Sequence, residues 1–99
     1  MTEEQKKQIR EIAAHYGMDA QSGKAVEECA ELIVAIEHMK KKRWLPQDEV
    51  AALENLAGEI ADVRIMCEQI AYLYGIEEVV KEQIDFKIAR QLGRMAKGE

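Results

Sequence analysis

The stretch AVEECAELIVAIEHM, residues 25–39, carries the clearest structural pattern in this chain of 99 residues. Its apolar positions recur at alternating spacings of four and three residues: Ala25, Cys29, Leu32, Ile36 and Met39. This is the repeat of an α-helix that buries one face. Val26, Ala30 and Ile33 widen that face beyond a narrow seam. The stretch therefore predicts an amphipathic helix with a broad packing surface.

Four helices in all are predicted, at residues 2–16, from about 19–22 to 43, 47–74 and 76–96. The first has an apolar stripe at Ile9, Ile12, Ala13 and Tyr16, and the third at Leu53, Leu56, Ile60, Val63, Cys67, Ile70 and Tyr74. Gly17 and Gly75 are suited to end helices, and Pro46 to begin one. Short connections favour antiparallel neighbours, so we predict an all-α four-helix bundle forming a single domain over residues 1–99.

The composition narrows the possible partners. Apolar residues make up 47% and charged residues 33%, which is typical of a globular protein rather than a disordered one. A net charge of −5 argues against nucleic-acid binding through a broad basic face. No apolar run approaches the roughly 18–20 residues of a membrane span. Cys29 and Cys67 fall on apolar positions without a zinc-binding partner set, so reduced core cysteines in a cytoplasmic protein are expected.

Two acidic pairs, Glu28 with Glu31 and Glu59 with Asp62, lie at matching places on the second and third predicted helices. Residues three apart project from one side of a helix. The spacing alone is not distinctive in a chain with 19 acidic residues, but each pair borders a packing face. Two helices packed side by side would bring the four carboxylates together as hard ligands for Mg²⁺. The alternative is two amphipathic helices with ordinary acidic flanks.

Two segments, VEECAEL at residues 26–32 and GEIADV at residues 58–63, resemble the Glu-Glu-x-x-Glu and Glu-x-x-Asp signature of MazG-like nucleoside triphosphate pyrophosphohydrolases. The resemblance covers about residues 20–95. It implies a four-helix fold that assembles into homodimers or homotetramers. It also implies hydrolysis of a (deoxy)nucleoside triphosphate to the monophosphate and pyrophosphate with Mg²⁺, for which Mn²⁺ is a possible substitute. The implied metal ligands are Glu28, Glu31, Glu59 and Asp62.

Further residues are candidates around that site. Glu27 is the candidate to orient or deprotonate the attacking water, and a plain salt bridge with Lys24 is its alternative. Phosphate-binding candidates are the basic residues Lys24, Lys87, Arg90 and Arg94, the last three recurring at helical spacing on the fourth helix; a solvated face is the alternative. Asp85 stands where the family often has Asn, and is a candidate for base or sugar recognition or a further acidic ligand. Trp44 is a weak candidate for nucleobase stacking, against helix-end or subunit packing.

Three other interpretations compete with this one. A ferritin-like di-iron bundle requires Glu-x-x-His on two helices, and the chain has no such motif. Phosphoribosyl-ATP pyrophosphohydrolase has related acidic motifs, but its Lys-Val-Gly-Glu-Glu run is only approximated by KAVEE at residues 24–28. A non-catalytic helical interaction module of MazG-like fold stays open. The broad apolar stripes exceed what one small bundle covers, which independently predicts a homo-oligomer.

Overall fold

The part of the chain that the structure describes forms four α-helices. The computed structural model describes residues 1–41 and 46–99, with only the backbone described at Pro46 and Gln47. The helices are α1 (Glu3–Tyr16), α2 (Met18–Met39), α3 (Pro46–Leu73) and α4 (Glu77–Ala96). The described ranges contain no strand, so the all-α prediction is confirmed. None of the helices described is both long enough and apolar enough to cross a membrane.

The start of α1 is held by a reciprocal pair of hydrogen bonds between Thr2 and Gln5. The Gln5 backbone N–H donates to Thr2 Oγ1 at 3.0 Å, and the Thr2 N–H donates to Gln5 Oε1 at 2.8 Å. This capping box satisfies two N–H groups that a helix start otherwise leaves unpaired. The sequence TEEQ at residues 2–5 therefore explains why the helix begins at Glu3.

A single glycine joins α1 to α2. Gly17 has a φ of 86°, a left-handed conformation that L side chains rarely adopt, and its N–H donates to Ala13 O at 2.8 Å. Its own carbonyl accepts from Gln21 N at 3.1 Å, which starts α2 immediately. The predicted end of α1 is confirmed. The predicted start of α2 at 19–22 is wrong, because Gly17 ends one helix and caps the next without an intervening loop.

The other helix ends follow the expected residues in part. Pro46 is the first residue of α3, as predicted. After α3, Gly75 has a φ of 68° and the Ile76 N–H donates to Ala71 O at 2.9 Å, which is the bond of a Schellman motif. α2 ends at Met39, earlier than predicted; residues 42 and 43 of the predicted helix lie outside the described part of the chain.

The helices α2 and α3 form the principal pair. Gln21 near the start of α2 lies beside Gln69 near the end of α3, and Glu28 lies beside Glu59 and Asp62, so the two helices run antiparallel. α1 packs mainly on α3, whereas the backbone of α4 approaches only that of α3 among the described helices. α4 therefore takes little part in the packing within one copy, and α1, α2 and α3 form most of the all-α bundle in the described part of the chain.

The core is narrow and partly polar. The buried apolar residues are Ile9, Ala13, Ala35, Ala52, Met66 and Ala71, and the buried polar ones are Gln21, Glu28 and Gln69. On α2 the buried residues are Gln21, Glu28 and Ala35, each seven residues from the next, which is the spacing of a helix–helix seam. On α2 and α3 the buried residues are therefore not those of the predicted apolar stripes. Cys29 and Cys67, expected in the core, are exposed because polar residues occupy the seam beside them.

A hydrogen-bonded glutamine pair joins α2 to α3 inside this core. Gln21 Nε2 donates to Gln69 Oε1 at 2.7 Å, and Gln69 Nε2 lies 3.6 Å from Met66 Sδ. Gln69 is only 2% exposed and Gln21 only 7%. Removing one amide leaves the other buried without its partner, whereas replacing both removes the need for the bond.

We expect Gln69→Leu to lower the free energy of unfolding by about 1–3 kcal/mol, since it leaves the Gln21 amide unsatisfied. The double variant Gln21→Leu/Gln69→Leu is expected to recover most of that loss. Urea unfolding followed by circular dichroism measures both, with Gln83→Leu on the exposed face of α4 as the matched control. Equal stability of Gln69→Leu and the double variant would contradict a buried hydrogen bond between the two side chains.

Candidate metal centre

The antiparallel pairing of α2 and α3 brings carboxylates from both helices together. Glu28, Glu59 and Asp62 each offer one oxygen atom, and these atoms all lie within 4.8 Å of one another. Glu28 is buried, Glu59 is half-buried and Asp62 is exposed. The group thus extends from the seam to the surface, with one end open to solvent. Three of the four predicted ligands meet in this cluster.

Glu31, the fourth predicted ligand, stands at the edge of the same cluster. Its side chain is exposed. The negative charge of Glu28, followed by that of Glu59, raises the pKa of Glu31 above its ordinary value. Glu31 therefore interacts electrostatically with carboxylates on both helices, Glu28 on α2 and Glu59 on α3. We call Glu28, Glu31, Glu59 and Asp62 the acidic cluster.

Two oxygen atoms of the acidic cluster are covered by protein and have no hydrogen-bond donor. Within the described part of the chain, Glu28 Oε2 and Glu59 Oε2 are buried and unpaired. Glu28 as a whole is only 7% exposed. A carboxylate oxygen removed from water without a partner is costly, and such groups are rare in native structures. A cation within reach of both oxygens would satisfy them. Acidic side chains on an ordinary solvent-exposed helix flank are hydrated and need no such cation.

Lys24 supplies the nearest positive charge. Its Nζ lies 3.1 Å from Glu28 Oε1 and 3.9 Å from Glu27 Oε2, and the side chain is 52% exposed. The hydrogen bond and the charge of Glu28 raise the pKa of Lys24. Glu27 is 69% exposed and lies outside the group of converging oxygens. It forms the salt bridge with Lys24 that the sequence offered as the alternative to a catalytic role.

The basic residues of α4 are not joined to the acidic cluster within one chain. In the described residues, no ion pair links Lys87, Arg90 or Arg94 to a carboxylate. The Arg90 guanidinium instead lies 5.7 Å from the centre of the Phe86 ring one turn earlier. No residue of α4 is buried. Lys87, Arg90 and Arg94 thus lie on an exposed helix face in a single copy, and their role in binding phosphate stays a prediction.

The two residues considered for base or sugar recognition have different outcomes. Asp85 is exposed on α4 and is not among the oxygens that converge with Glu28. Trp44 lies outside the described residues. Asp85 therefore adds nothing to the geometry of the acidic cluster.

Sequence reasoning missed that the acidic cluster continues into the glutamine pair. On α3 the residues facing α2 are Glu59, Asp62, Met66 and Gln69, at spacings of three, four and three. That spacing is helical and was available in the sequence. Three of its four residues are polar, so the more apolar stripe beside it is the stronger signal in the sequence. Glu28 lies inside the seam rather than at its border, and Glu59 is half-buried.

Comparisons of the chain with protein-family models, curated protein sequences and solved structures find no match. The MazG-like resemblance consequently stays a prediction from the two acidic segments.

We expect Glu31→Gln to raise the melting temperature at pH 7 in the presence of EDTA. The raised pKa of Glu31 means that its ionised form is disfavoured in the folded chain. Below the pKa that Glu31 has in the unfolded chain, its carboxyl is protonated in both states and does not destabilise the fold. As the pH rises through the raised pKa of the folded chain, the carboxyl ionises and that stability is lost. The gain from Glu31→Gln should accordingly vanish at a pH below the ordinary range for glutamate.

Thermal unfolding by circular dichroism at the two pH values measures this difference. Glu27→Gln is the matched control, because Glu27 is exposed on the same helix and pairs favourably with Lys24. A destabilised Glu31→Gln variant at pH 7 would show that repulsion within the acidic cluster is not the dominant effect on that carboxylate.

Proposed function

We propose that the acidic cluster binds Mg²⁺ and that the chain hydrolyses a nucleoside triphosphate to the monophosphate and pyrophosphate. The observation that supports a metal is the pair of buried, unpaired oxygens on Glu28 and Glu59. The support for the reaction is the resemblance of the two acidic segments to MazG-like pyrophosphohydrolases. Glu28, Glu59 and Asp62 would hold the ion, with Glu31 at its open side; Mn²⁺ is a possible substitute.

The residues suit this chemistry because the substrate is a polyanion. Mg²⁺ prefers carboxylate, phosphate and water oxygens, and when bound it would neutralise phosphate charge and lower the pKa of a coordinated water. Asp62 and Glu31 are exposed, so the cluster is open to a phosphate from solvent. Glu27, beside it, is the proposed acceptor of the proton that the attacking water loses when the bond to pyrophosphate breaks. Lys24 is the nearest cation for the phosphates.

We expect the purified chain to release pyrophosphate from one or more nucleoside triphosphates only when Mg²⁺ or Mn²⁺ is present. A screen of ribo- and deoxynucleotides, with phosphoribosyl-ATP included, identifies the substrate. Glu31→Gln and Asp62→Asn should each lower kcat/KM on the order of 10²-fold, since each removes a charged ligand. Glu54→Gln, an exposed acid elsewhere on α3, is the matched control. Full activity in both cluster variants would show that the site is assigned wrongly.

The alternative is a non-catalytic helical interaction module, which is favoured by the exposed apolar face of α4. Its large apolar side chains that remain exposed are Val79, Val80, Ile84, Phe86, Ile88, Leu92 and Met95. Such a module predicts no metal-dependent turnover and tolerance of Glu59→Gln. The same nucleotide screen therefore separates the two functions.

We also propose that the chain assembles as a homodimer or homotetramer. Its radius of gyration is 16.7 Å, whereas a compact chain of this length has about 13 Å. α4 buries none of its residues within the chain. A second copy placed on α4 would cover apolar surface that a folded monomer rarely exposes.

Light scattering should accordingly give a mass that is a multiple of 11.3 kDa. Ile88→Asp combined with Leu92→Asp should shift the protein toward the monomer, because it places charges in the apolar face of α4. Gln83→Asp together with Gln91→Asp carries the same added charge on polar positions of that helix and is the control. A monomeric wild-type chain would contradict the proposed assembly.

A further inference from the structure

Lys24 is positioned to compete with a metal ion for the most buried member of the acidic cluster. Its Nζ lies 3.1 Å from Glu28 Oε1, whereas Glu28 Oε2 is buried and has no hydrogen-bond donor within the described part of the chain. Lys24 and Glu28 are four residues apart on α2, so the contact is made along one helix face. One carboxylate thus presents an oxygen held by a lysine and an oxygen available to a second cation.

Two positive charges bound to one carboxylate repel each other, so a divalent cation at Glu28 weakens the attraction between Glu28 and Lys24. The lysine is half exposed and carries its charge on a flexible four-carbon stem, whereas the carboxylate is held in the seam. The mobile partner is therefore the one that gives way. A Lys24 ammonium that leaves Glu28 remains tethered one helical turn from the acidic cluster.

We propose that Lys24 is an internal counter-ion that a divalent cation displaces from Glu28, and that the displaced ammonium then binds substrate phosphate. This inference depends on the proposed metal site and names the residue that couples metal binding to phosphate binding. The coupling has a direction. Metal binding frees the ammonium, and the freed ammonium adds a positive charge for the phosphates, so the two ligands favour each other.

Titration calorimetry with Mn²⁺ alone tests the first half. Lys24→Met should bind Mn²⁺ about 3–10-fold more tightly than the wild type, a modest factor because solvent screens the charge of the half-exposed Lys24 ammonium. Lys24→Arg keeps the charge and should bind like the wild type. Lys6→Met is the matched control, since it removes the same charge from the exposed Lys6–Glu3 pair on α1. Equal Mn²⁺ affinity in Lys24→Met and Lys6→Met would overturn the proposal.

Binding of inorganic triphosphate in saturating Mn²⁺ tests the second half. Here Lys24→Met should bind the Mn²⁺–triphosphate complex about 3–10-fold more weakly than the wild type, because the freed ammonium is missing. Opposite changes in the two affinities are the result expected from displacement. An unchanged affinity for the triphosphate complex would overturn the second role of Lys24.

Thermal unfolding shows whether the variants fold and adds a readout independent of turnover. In EDTA, Lys24→Met should melt below the wild type, since Glu28 loses its counter-ion; Mn²⁺ should stabilise the variant by a larger margin than it stabilises the wild type. Absence of Mn²⁺ binding in every variant, the wild type included, would instead refute the metal site itself. Mn²⁺ binding that is insensitive to Lys24 refutes only the counter-ion.

Discussion

The antiparallel seam between α2 and α3 is the constraint on which the molecule depends. Its buried positions include two glutamines and a glutamate, so the seam that joins the principal helices is partly polar. Polar groups in such a place stabilise a fold only when they are satisfied. Gln21 and Gln69 satisfy each other across the seam. Glu28 and Glu59, about two to three turns further along the seam, each keep one buried oxygen that has no donor among the described residues.

The two halves of the seam differ in whether their buried polar groups are satisfied, and this difference separates a structural region from a candidate metal site. The glutamine pair has a structural role, because both side-chain amides are buried and are hydrogen-bonded to each other. The acidic cluster is the opposite case, since its charges repel one another and its outer members, Glu31 and Asp62, reach solvent. Carboxylates that repel one another in the absence of a cation are suited to bind one. Lys24 supplies a partial substitute from within the chain.

The thin core explains why α4 matters despite its few contacts. Four of the six buried apolar side chains are alanines (Ala13, Ala35, Ala52 and Ala71), which contribute little apolar area each. Larger apolar side chains lie on the outside, above all on α4. The Arg10 guanidinium, 3.0 Å from Glu77 and 5.7 Å from the centre of the Tyr72 ring, holds only the first turn of that helix. The rest of α4 is available to a second copy, as proposed.

Apolar spacing was enough to predict four helices, and residue type was enough to predict the roles of Gly17, Gly75 and Pro46. The placement of the acidic pairs beside two packing faces predicted the meeting of Glu28 with Glu59 and Asp62. These features depend on local hydrogen bonding and on the antiparallel register that short connections impose. Three features were not predictable in this way: the burial of Gln69, the exposure of Cys29 and Cys67, and the exposure of α4. Each helix offers several adjacent faces, and which one is buried depends on contacts with neighbours that are distant in sequence.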